Sequence, residues 1–338
     1  MNQIAPQLIR QVFLILLILV VGSMIFIEMV PYLMGVLGAV TIYILLRKWM
    51  IYLEQTRKWN PAIAASALML FSFVVILLPV AGVVMMLGNK IGDAVSNSEQ
   101  VIKAFKDQVT KVEYYVGFDL NSQIDTQAIT TWLSENLQNL AGGTFNAFIA
   151  IGLMYFMLYY MFTNRRALKN SLKEFIPLSH GNVTELGKEV QKMVRSNAIG
   201  IPLVAIAQGF IALIGFWIFG IEDAFFWFVI VTVGSMIPFV GTFIGIIPVF
   251  LITLSSGSSF QAWGILLYGV IVVGSTDNII RLYVLKRLDD VHPLITLVGV
   301  IIGVPIFGFL GLIFGPLLIS VFMAMVRIYR KDFGQTDK

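Results

Sequence analysis

The residues with the clearest capacity for chemistry lie in one short segment, GSTDNIIR. Asp277 is the only carboxylate that could lie well inside an apolar segment and away from its outer end. Ionisable groups inside membrane-spanning segments are costly and commonly mark ion or solute pathways. Ser275, Thr276 and Asn278 add oxygen atoms, so this segment could bind a cation or a polar solute. The structural alternative is an ion pair, because Arg281 lies four residues later on the same helical face.

Two uncharged apolar stretches near the C-terminus are each interrupted by proline and glycine. The first, Ala224–Leu254, is interrupted at PFVG, and the second, Pro293–Val326, is interrupted at GVPIFG. Each has more residues than one bilayer-spanning helix needs (about 20) and fewer than two complete spans need. Proline removes a backbone donor and glycine permits tight or left-handed turns. The pattern therefore predicts two broken helices.

Helix breaks at membrane depth expose backbone groups that can bind ions or polar solutes. Such irregular backbone is tolerated only where it is buried in protein or lines a watery cavity. A kink that serves packing alone is the alternative interpretation. We predict pathway residues at both breaks: Pro238 and Gly241 in the first, and Pro305, Gly308 and Gly311 in the second.

Gln208 is the remaining candidate, because it lies in the middle of the apolar segment Ile199–Ile221. A glutamine there either forms a hydrogen bond between helices or lines a solute path. The two histidines, His180 and His292, fall in loops far apart in the sequence, and the chain has no cysteine. The HExxH, Walker A and GxSxG motifs are absent. We expect no metal site, no cofactor and no enzymatic activity.

The composition indicates a membrane protein. The chain is 58% hydrophobic and only 12% charged, whereas soluble domains are about a quarter charged. The net charge of +4 could suggest nucleic-acid binding. However, the Lys and Arg residues lie in short loops between apolar segments, as expected for cytoplasmic loops of membrane proteins. Nucleic acid is therefore excluded as a partner.

The apolar segments predict an all-α polytopic membrane protein with about six complete spans and two inverted broken-helix re-entrant hairpins. The complete spans are Gln11–Val30, Tyr32–Leu46, Pro61–Leu87, Thr144–Thr163, Ile199–Ile221 and Ala262–Ile280. The second is short, and it could extend through Trp49 and Met50 or pair with the first as a hairpin.

The polar segments complete the predicted organisation. Residues 88–143 are acidic and are predicted to form an extracytoplasmic amphipathic insert. This insert would lie on the membrane or on a neighbouring subunit. The alternative is that it caps the pathway. Residues 164–198 are basic and form cytoplasmic amphipathic helices. The remaining divisions are residues 1–87, with three spans, residues 144–163, with the fourth span, and residues 199–338, the core with both broken stretches.

The positive charges also predict the topology. If each broken stretch is a hairpin that returns to the side it entered from, Arg281, Lys286 and Arg287 lie in the cytoplasm. If each crosses the membrane once, the same three residues lie outside. The excess of Lys and Arg in cytoplasmic loops favours the hairpins. The hairpins would then enter from opposite sides of the inner membrane, as an inverted pair. Both termini are expected in the cytoplasm.

The segment that begins at Asp277 resembles the C-terminal signature of the autoinducer-2 exporter family of membrane permeases. The IPFVG element at Ile237–Gly241 and the order of spans and inserts are also similar, whereas Leu282 and Tyr283 replace a proline of many members. The matching positions are Asp277, Asn278, His292, Pro293, Phe307, Gly308, Gly311, Gly315 and Pro316. The resemblance implies a homo-oligomeric inner-membrane transporter, with a pentamer as the expected form, in which a hairpin-bearing unit moves against a scaffold.

Three functions remain open at this point. The leading hypothesis is a secondary transporter that moves a small polar solute by hairpin gating. Family members divide between export of autoinducer-2 and exchange of sodium or lithium for protons, so the second hypothesis is an antiporter with Asp277 as the titrating group. The third is a membrane scaffold that does not transport. The expected partners are the lipid bilayer, a small molecule or ion, and further copies of the chain.

Overall fold

A computed structural model gives the fold of residues 6–96, 144–175, 179–237, 241–255, 258–276, 279–280 and 293–333. Within these ranges the backbone is helical apart from short turns, and it contains no strand. In the described part of the chain, five helical stretches are long and apolar enough to cross a membrane, and three shorter apolar helices accompany them. The predicted all-α polytopic membrane fold is confirmed, and the number of complete spans stays a prediction.

The first two predicted spans form one nearly continuous helical segment. Helix α1 (Pro6–Met29) leads through a 3-10 turn (Val30–Tyr32) into α2 (Leu33–Gln55). Pro31 sits at the start of that turn, where its missing N–H group is tolerated. Helix α1 is exposed from Arg10 onward and does not pack along α2. The hairpin interpretation of these two spans is therefore wrong, because nothing in the connection reverses the chain.

The third predicted span is one continuous helical run with a π-helical turn in it. The run consists of α3 (Pro61–Ser72), the π turn Phe73–Leu77 and α4 (Leu78–Ser96). The side chain of Asn60 caps α3 by accepting a hydrogen bond from the backbone N–H of Ala62 at 2.9 Å. The acidic insert begins within α4, and residues 97–143 lie outside the described residues.

Helices α5 (Thr144–Thr163) and α6 (Arg165–Phe175) follow. Helix α5 packs against α2 and α3 in a core that contains Met50, Leu158 and Phe162. At the end of this bundle Arg165 forms an ion pair with Glu54. These helices together make an N-terminal bundle.

Among the described α-helices, α7 (His180–Ile218) is the longest, with 39 residues. The side chain of Ser179 caps it by accepting from the backbone N–H of Asn182 at 3.3 Å. The helix passes through Pro202 without ending. The second amphipathic helix of the basic insert and the span Ile199–Ile221 are therefore one element in the structure.

The first broken stretch contains two helices, as predicted. A tight turn with Gly220 (φ 64°) and Asp223 (φ 51°) follows α7. Helix α8 (Ala224–Gly234) then runs to the break, and α9 (Gly241–Ser255) returns from it. We call α8 and α9 the first hairpin. Residues 238–240, at its tip, lie outside the described residues.

The second broken stretch also contains two helices. It is preceded by α10 (Ser259–Tyr268), which continues through a π turn at Gly269–Val273. Helix α11 (Pro293–Phe307), a 3-10 turn at 308–310 and α12 (Gly311–Phe333) then form what we call the second hairpin. The break falls at the end of the predicted GVPIFG segment, because α11 continues through both Gly303 and Pro305. That the two hairpins re-enter from opposite sides stays a prediction.

Candidate functional site

The legs of the first hairpin meet in direct backbone contact near the tip. A Cβ atom placed on Gly234 would clash with the carbonyl oxygen of Gly241, and a Cβ atom on Gly241 would clash with the carbonyl oxygen of Gly234. Next to this contact the hydroxyl oxygens of Ser235 and Thr242 lie 3.3 Å apart, and both side chains are buried. The described ends of the two legs therefore meet through backbone and hydroxyl groups.

The legs of the second hairpin meet in the same way, through four glycines. Gly299 and Gly303 lie four residues apart on α11, and Gly311 and Gly315 lie four residues apart on α12. A Cβ atom on Gly303 would lie 2.5 Å from the carbonyl oxygen of Gly311 and 2.5 Å from the Cα atom of Gly315. Small residues at this spacing allow membrane helices to approach closely. The two legs consequently behave as one packed unit.

Gly308 makes the reversal between these legs. Its φ of 55° lies in the left-handed region, which residues with a side chain rarely adopt. A Cβ atom on Gly308 would also clash with the side chain of Met34, in the first turn of α2. Pro305 lies one turn earlier, exposed, within α11. The tip of the second hairpin thus lies against the N-terminal bundle.

The two hairpins meet on α7. Buried Ile201 of α7 forms an apolar cluster with Val300 and Leu312 from the two legs of the second hairpin. Met236, two residues before the undescribed tip of the first hairpin, packs against the same cluster, as does Val304. The two breaks, which are far apart in the sequence, are therefore close to the same turn of α7.

Gln208 lies two turns further along α7 on the same side as Ile201, about 10 Å away along the helix axis. Its side chain is 1% exposed. Neither the amide oxygen nor the amide nitrogen has a hydrogen-bond partner among the described residues. An unpaired buried amide costs about 1–3 kcal/mol, and a polar group retained at that cost is a candidate for contact with a solute.

The first hairpin packs on α7 at the residue that follows Gln208. A Cβ atom on the adjacent Gly209 would clash with the Thr232 hydroxyl of α8. The Thr232 hydroxyl itself donates to the carbonyl oxygen of Phe228 at 2.7 Å. This antiparallel register brings Gln208 level with the last turns of α8. Neither α8 nor residues 196–218 of α7 carry a charge, so the interior favours recognition of a neutral polar group by hydrogen bonds.

The structure places five of the eight predicted site residues. Gln208, Gly241 and Gly311 are buried, whereas Gly308 is half-buried and Pro305 is exposed. These residues lie at or near the place where the hairpins meet. The other three predicted residues, which are Asp277, Asn278 and Pro238, lie outside the described residues. The helical run of α10 is described up to Thr276, whose hydroxyl donates to the carbonyl oxygen of Val272 at 2.6 Å.

Two features of the site were not predicted from the sequence. The first is Asn197, whose buried amide donates to the carbonyl oxygen of Ile313 at 3.2 Å and ties α7 to the second hairpin. Asn197 and Gln208 are eleven residues apart, about three helical turns, and this spacing could have indicated a polar line along α7. The second is the π turn after Tyr268, and such turns are frequent at functional sites.

Comparison with known proteins identifies the family. The AI-2E family transporter profile matches residues 13–331. The chain belongs to this family. The membership confirms the resemblance drawn from the residues that follow Asp277 and from the order of the spans, and the family is one of transporters.

The curated relatives of this AI-2E family transporter are distant. An Aquifex aeolicus protein is 24% identical over 234 residues, which are 69% of this chain and 62% of that protein. A Mycobacterium tuberculosis (strain H37Rv) protein is 27% identical over 205 residues, 60% of this chain and 53% of that protein. Escherichia coli YdiK is 30% identical over 129 residues, 38% of this chain and 34% of that protein. Each is named a "Putative transport protein". The chain spans less than two thirds of the length of these relatives.

Proposed function

We propose that this chain is a permease that moves a small polar solute across the membrane by changing how its two hairpins pack on α7. One observation carries the proposal: both broken helices pack at Ile201, and two turns away lies the buried amide of Gln208. This amide has no hydrogen-bond partner among the described residues, and the adjoining parts of α7 and α8 carry no charge. Broken helices that meet near the middle of the membrane are the usual architecture of solute sites in secondary transporters.

The glycine contacts suggest which parts move. Each hairpin has its legs in backbone contact, so separation of the legs would lose packing along both helices. Contacts at Ile201 are made by apolar side chains from different elements and can exchange at lower cost. We propose that each hairpin moves as a unit and opens the solute path on one side at a time. The backbone and the hydroxyls of Ser235 and Thr242 would then provide polar groups at the gate.

Autoinducer-2 is the first solute to test, because the description of the family refers to it. Its hydroxyl groups match an amide site without charge. The test is flux into proteoliposomes that contain the purified protein, with autoinducer-2, sodium and protons compared under imposed gradients. We expect autoinducer-2 to move at rates above those of protein-free vesicles. Absence of flux for all three would contradict the permease proposal.

Exchange of sodium or lithium for protons is the alternative within the family. It requires a group that titrates, and Asp277 is the sequence candidate. We expect Asp277→Asn to abolish pH-dependent sodium flux if the chain is an antiporter. Unchanged sodium flux in this variant would exclude Asp277 as the titrating group. Glu222→Gln provides a control, because Glu222 is an exposed acid in the turn before α8.

A membrane scaffold that does not transport is the alternative of another class. Cysteines introduced at Phe239 and Phe307 test it, since the chain has no native cysteine. A permease should expose at least one of them to a water-soluble thiol reagent. Phe156→Cys is the matched control, because Phe156 is 72% exposed on the outer face of the apolar helix α5, where lipid would cover it. Equal lack of labelling at all three positions would favour the scaffold.

We also propose that the chain lies in the cell inner membrane with both termini in the cytoplasm and forms a homo-oligomer, with a pentamer as the expected form. The exposure of α1 supports this proposal. Its apolar side chains are exposed on all sides of the helix in the single chain, so lipid or further copies of the chain must cover them. Native mass spectrometry after mild detergent extraction would give the number of copies. A monomer under conditions that preserve flux would contradict the oligomer.

A further inference from the structure

A basic cleft of about 550 Å³ lies between α2 and α7, away from the hairpin contact at Ile201. Helix α2 contributes Ile44, Arg47, Lys48 and Ile51, which lie on one face of that helix because they recur at spacings of three and four. This volume is within the range of small-ligand sites, which is about 300–1,000 Å³. The cleft is therefore large enough for a headgroup-sized molecule.

The facing side of the cleft comes from α7, through Gln191, Lys192, Arg195 and Ser196. With Arg47 and Lys48, the lining holds four basic residues and no acidic one among the residues that the structure describes. The nearest acid on α2 is Glu54, which pairs with Arg165 instead. Glu189, on α7, is not part of the lining. The excess of positive charge favours an anion.

Two hydrogen-bonding features of the cleft suit a phosphate group. Arg47 donates to the side-chain oxygen of Gln191 at 3.0 Å, which holds one guanidinium nitrogen against the opposite wall. Ser196 is 2% exposed, and its hydroxyl has no hydrogen-bond partner among the described residues. A buried hydroxyl at the base of a basic cleft can donate to an anionic oxygen. Arginine guanidinium groups bind phosphate through paired hydrogen bonds.

The position of the cleft along both helices identifies the source of the phosphate. On α2, no charged residue occurs from Leu33 to Leu46, and the basic residues begin at Arg47. On α7 the order is reversed: the last charge is Arg195, and residues 196–218 carry none. Both helices thus change from charged to apolar at the cleft, which is the level of the lipid headgroups. Ile44 and Ile51 provide apolar contact for the adjoining parts of a lipid.

We propose that this cleft binds the headgroup phosphate of an anionic phospholipid. Basic clefts between membrane helices are a known means of binding such headgroups. The site lies beside a cluster in which Val194 of α7 packs on Ile313 and Leu317 of the second hairpin. Ile44 of the cleft packs against this same cluster. A bound lipid would therefore hold α2 and α7 together next to the second hairpin.

The test compares lipid binding by native mass spectrometry for the full chain and a double variant, R47Q/R195Q. Phosphatidylglycerol and zwitterionic phosphatidylcholine are titrated separately. Each basic residue near an anionic headgroup accounts for about fivefold in affinity, so the double variant should bind phosphatidylglycerol about 25-fold more weakly. Binding of phosphatidylcholine should not change. The control R327Q/R330Q removes the same charge from exposed positions of α12 and should lose less than about threefold.

Two further measurements distinguish the other outcomes. Lys48→Gln alters an exposed residue and should keep the fold while weakening phosphatidylglycerol binding about fivefold. Inorganic phosphate is titrated in parallel. If free phosphate binds and R47Q/R195Q weakens it while lipid binding is unchanged, the ligand is a soluble phosphate and the proposal is wrong. Equal losses of phosphatidylglycerol binding in R47Q/R195Q and R327Q/R330Q would show that binding depends only on general surface charge. That result would also overturn the proposed lipid site. None of these measurements depends on transport.

Discussion

The substitution Gln208→Leu tests whether this buried amide serves a solute or the fold. Leucine has a similar volume and no polar atom. Because both amide atoms lack partners among the described residues, the substitution should remove a desolvation cost rather than a native interaction. We expect the free energy of unfolding to rise by about 1–3 kcal/mol. A glutamine that held two helices together would give the opposite sign.

The same substitution should impair transport. A net hydrogen bond contributes about 0.5–1.5 kcal/mol, and the amide can offer one donor and one acceptor to a solute. Loss of both should weaken solute binding by about 1–3 kcal/mol, which is about 5- to 150-fold. Flux at solute concentrations below saturation should fall by that factor.

The assay measures both properties on the same preparation, with unfolding in mixed detergent micelles and flux in proteoliposomes. Gln261→Leu is the matched control, since Gln261 lies in the first turn of α10 beside Gly220 and away from the hairpin contact. The control should leave flux within about twofold of the parent protein. A Gln208→Leu protein that is less stable, or one that transports normally, would refute the assignment of this amide to the pathway.

Two further substitutions test the packing around the site. Gly303→Ala should destabilise the protein by about 1–3 kcal/mol and slow flux, since the new methyl group forces the legs of the second hairpin apart. Gly152→Ala is its control, because the new Cβ would have no atom of a neighbouring element within 4 Å, and it should be neutral or slightly stabilising. Tyr268→Phe removes a hydroxyl that donates to the carbonyl oxygen of Ile211 at 2.9 Å, and should cost about 1 kcal/mol. Unfolding in micelles measures all three, and a neutral Gly303→Ala would contradict the close contact of the legs.

The broken helices could be predicted from sequence because proline and glycine act locally. The first leg ends at Gly234, shortly before the PFVG segment, and the second leg begins at Gly241, the last residue of that segment. The second interruption falls at Gly308, the last residue of the predicted GVPIFG segment, because the helix tolerates Pro305 in its last turn and uses Gly303 for packing. A glycine that permits a turn and a glycine that permits close contact look the same in the sequence, and only the partner helix distinguishes them.

The meeting of the hairpins could not be predicted, because it depends on contacts between distant segments. Gln208 was a candidate from its position in an apolar span, but its lack of a hydrogen-bond partner among the described residues is a property of the packed structure. The length of α7 could not be predicted from the sequence either. Its charged and apolar parts suggested two separate helices. A helix can, however, continue without interruption from a charged segment in water into an apolar segment in lipid.

The length of α7 has a mechanical consequence. At about 1.5 Å per residue its 39 residues extend about 58 Å, roughly twice the thickness of the hydrocarbon core. Arg195 and Gln208 are about 20 Å apart along the axis of this helix. If the segment from Arg195 to Gln208 tilts as one piece about Arg195, a tilt of only about 3° displaces Gln208 by about 1 Å, and a shift of that size is enough to disturb a precisely positioned polar contact. Through such a tilt, helix α7 can couple the binding of an anion near Arg195 to the position of the Gln208 side chain deeper in the membrane.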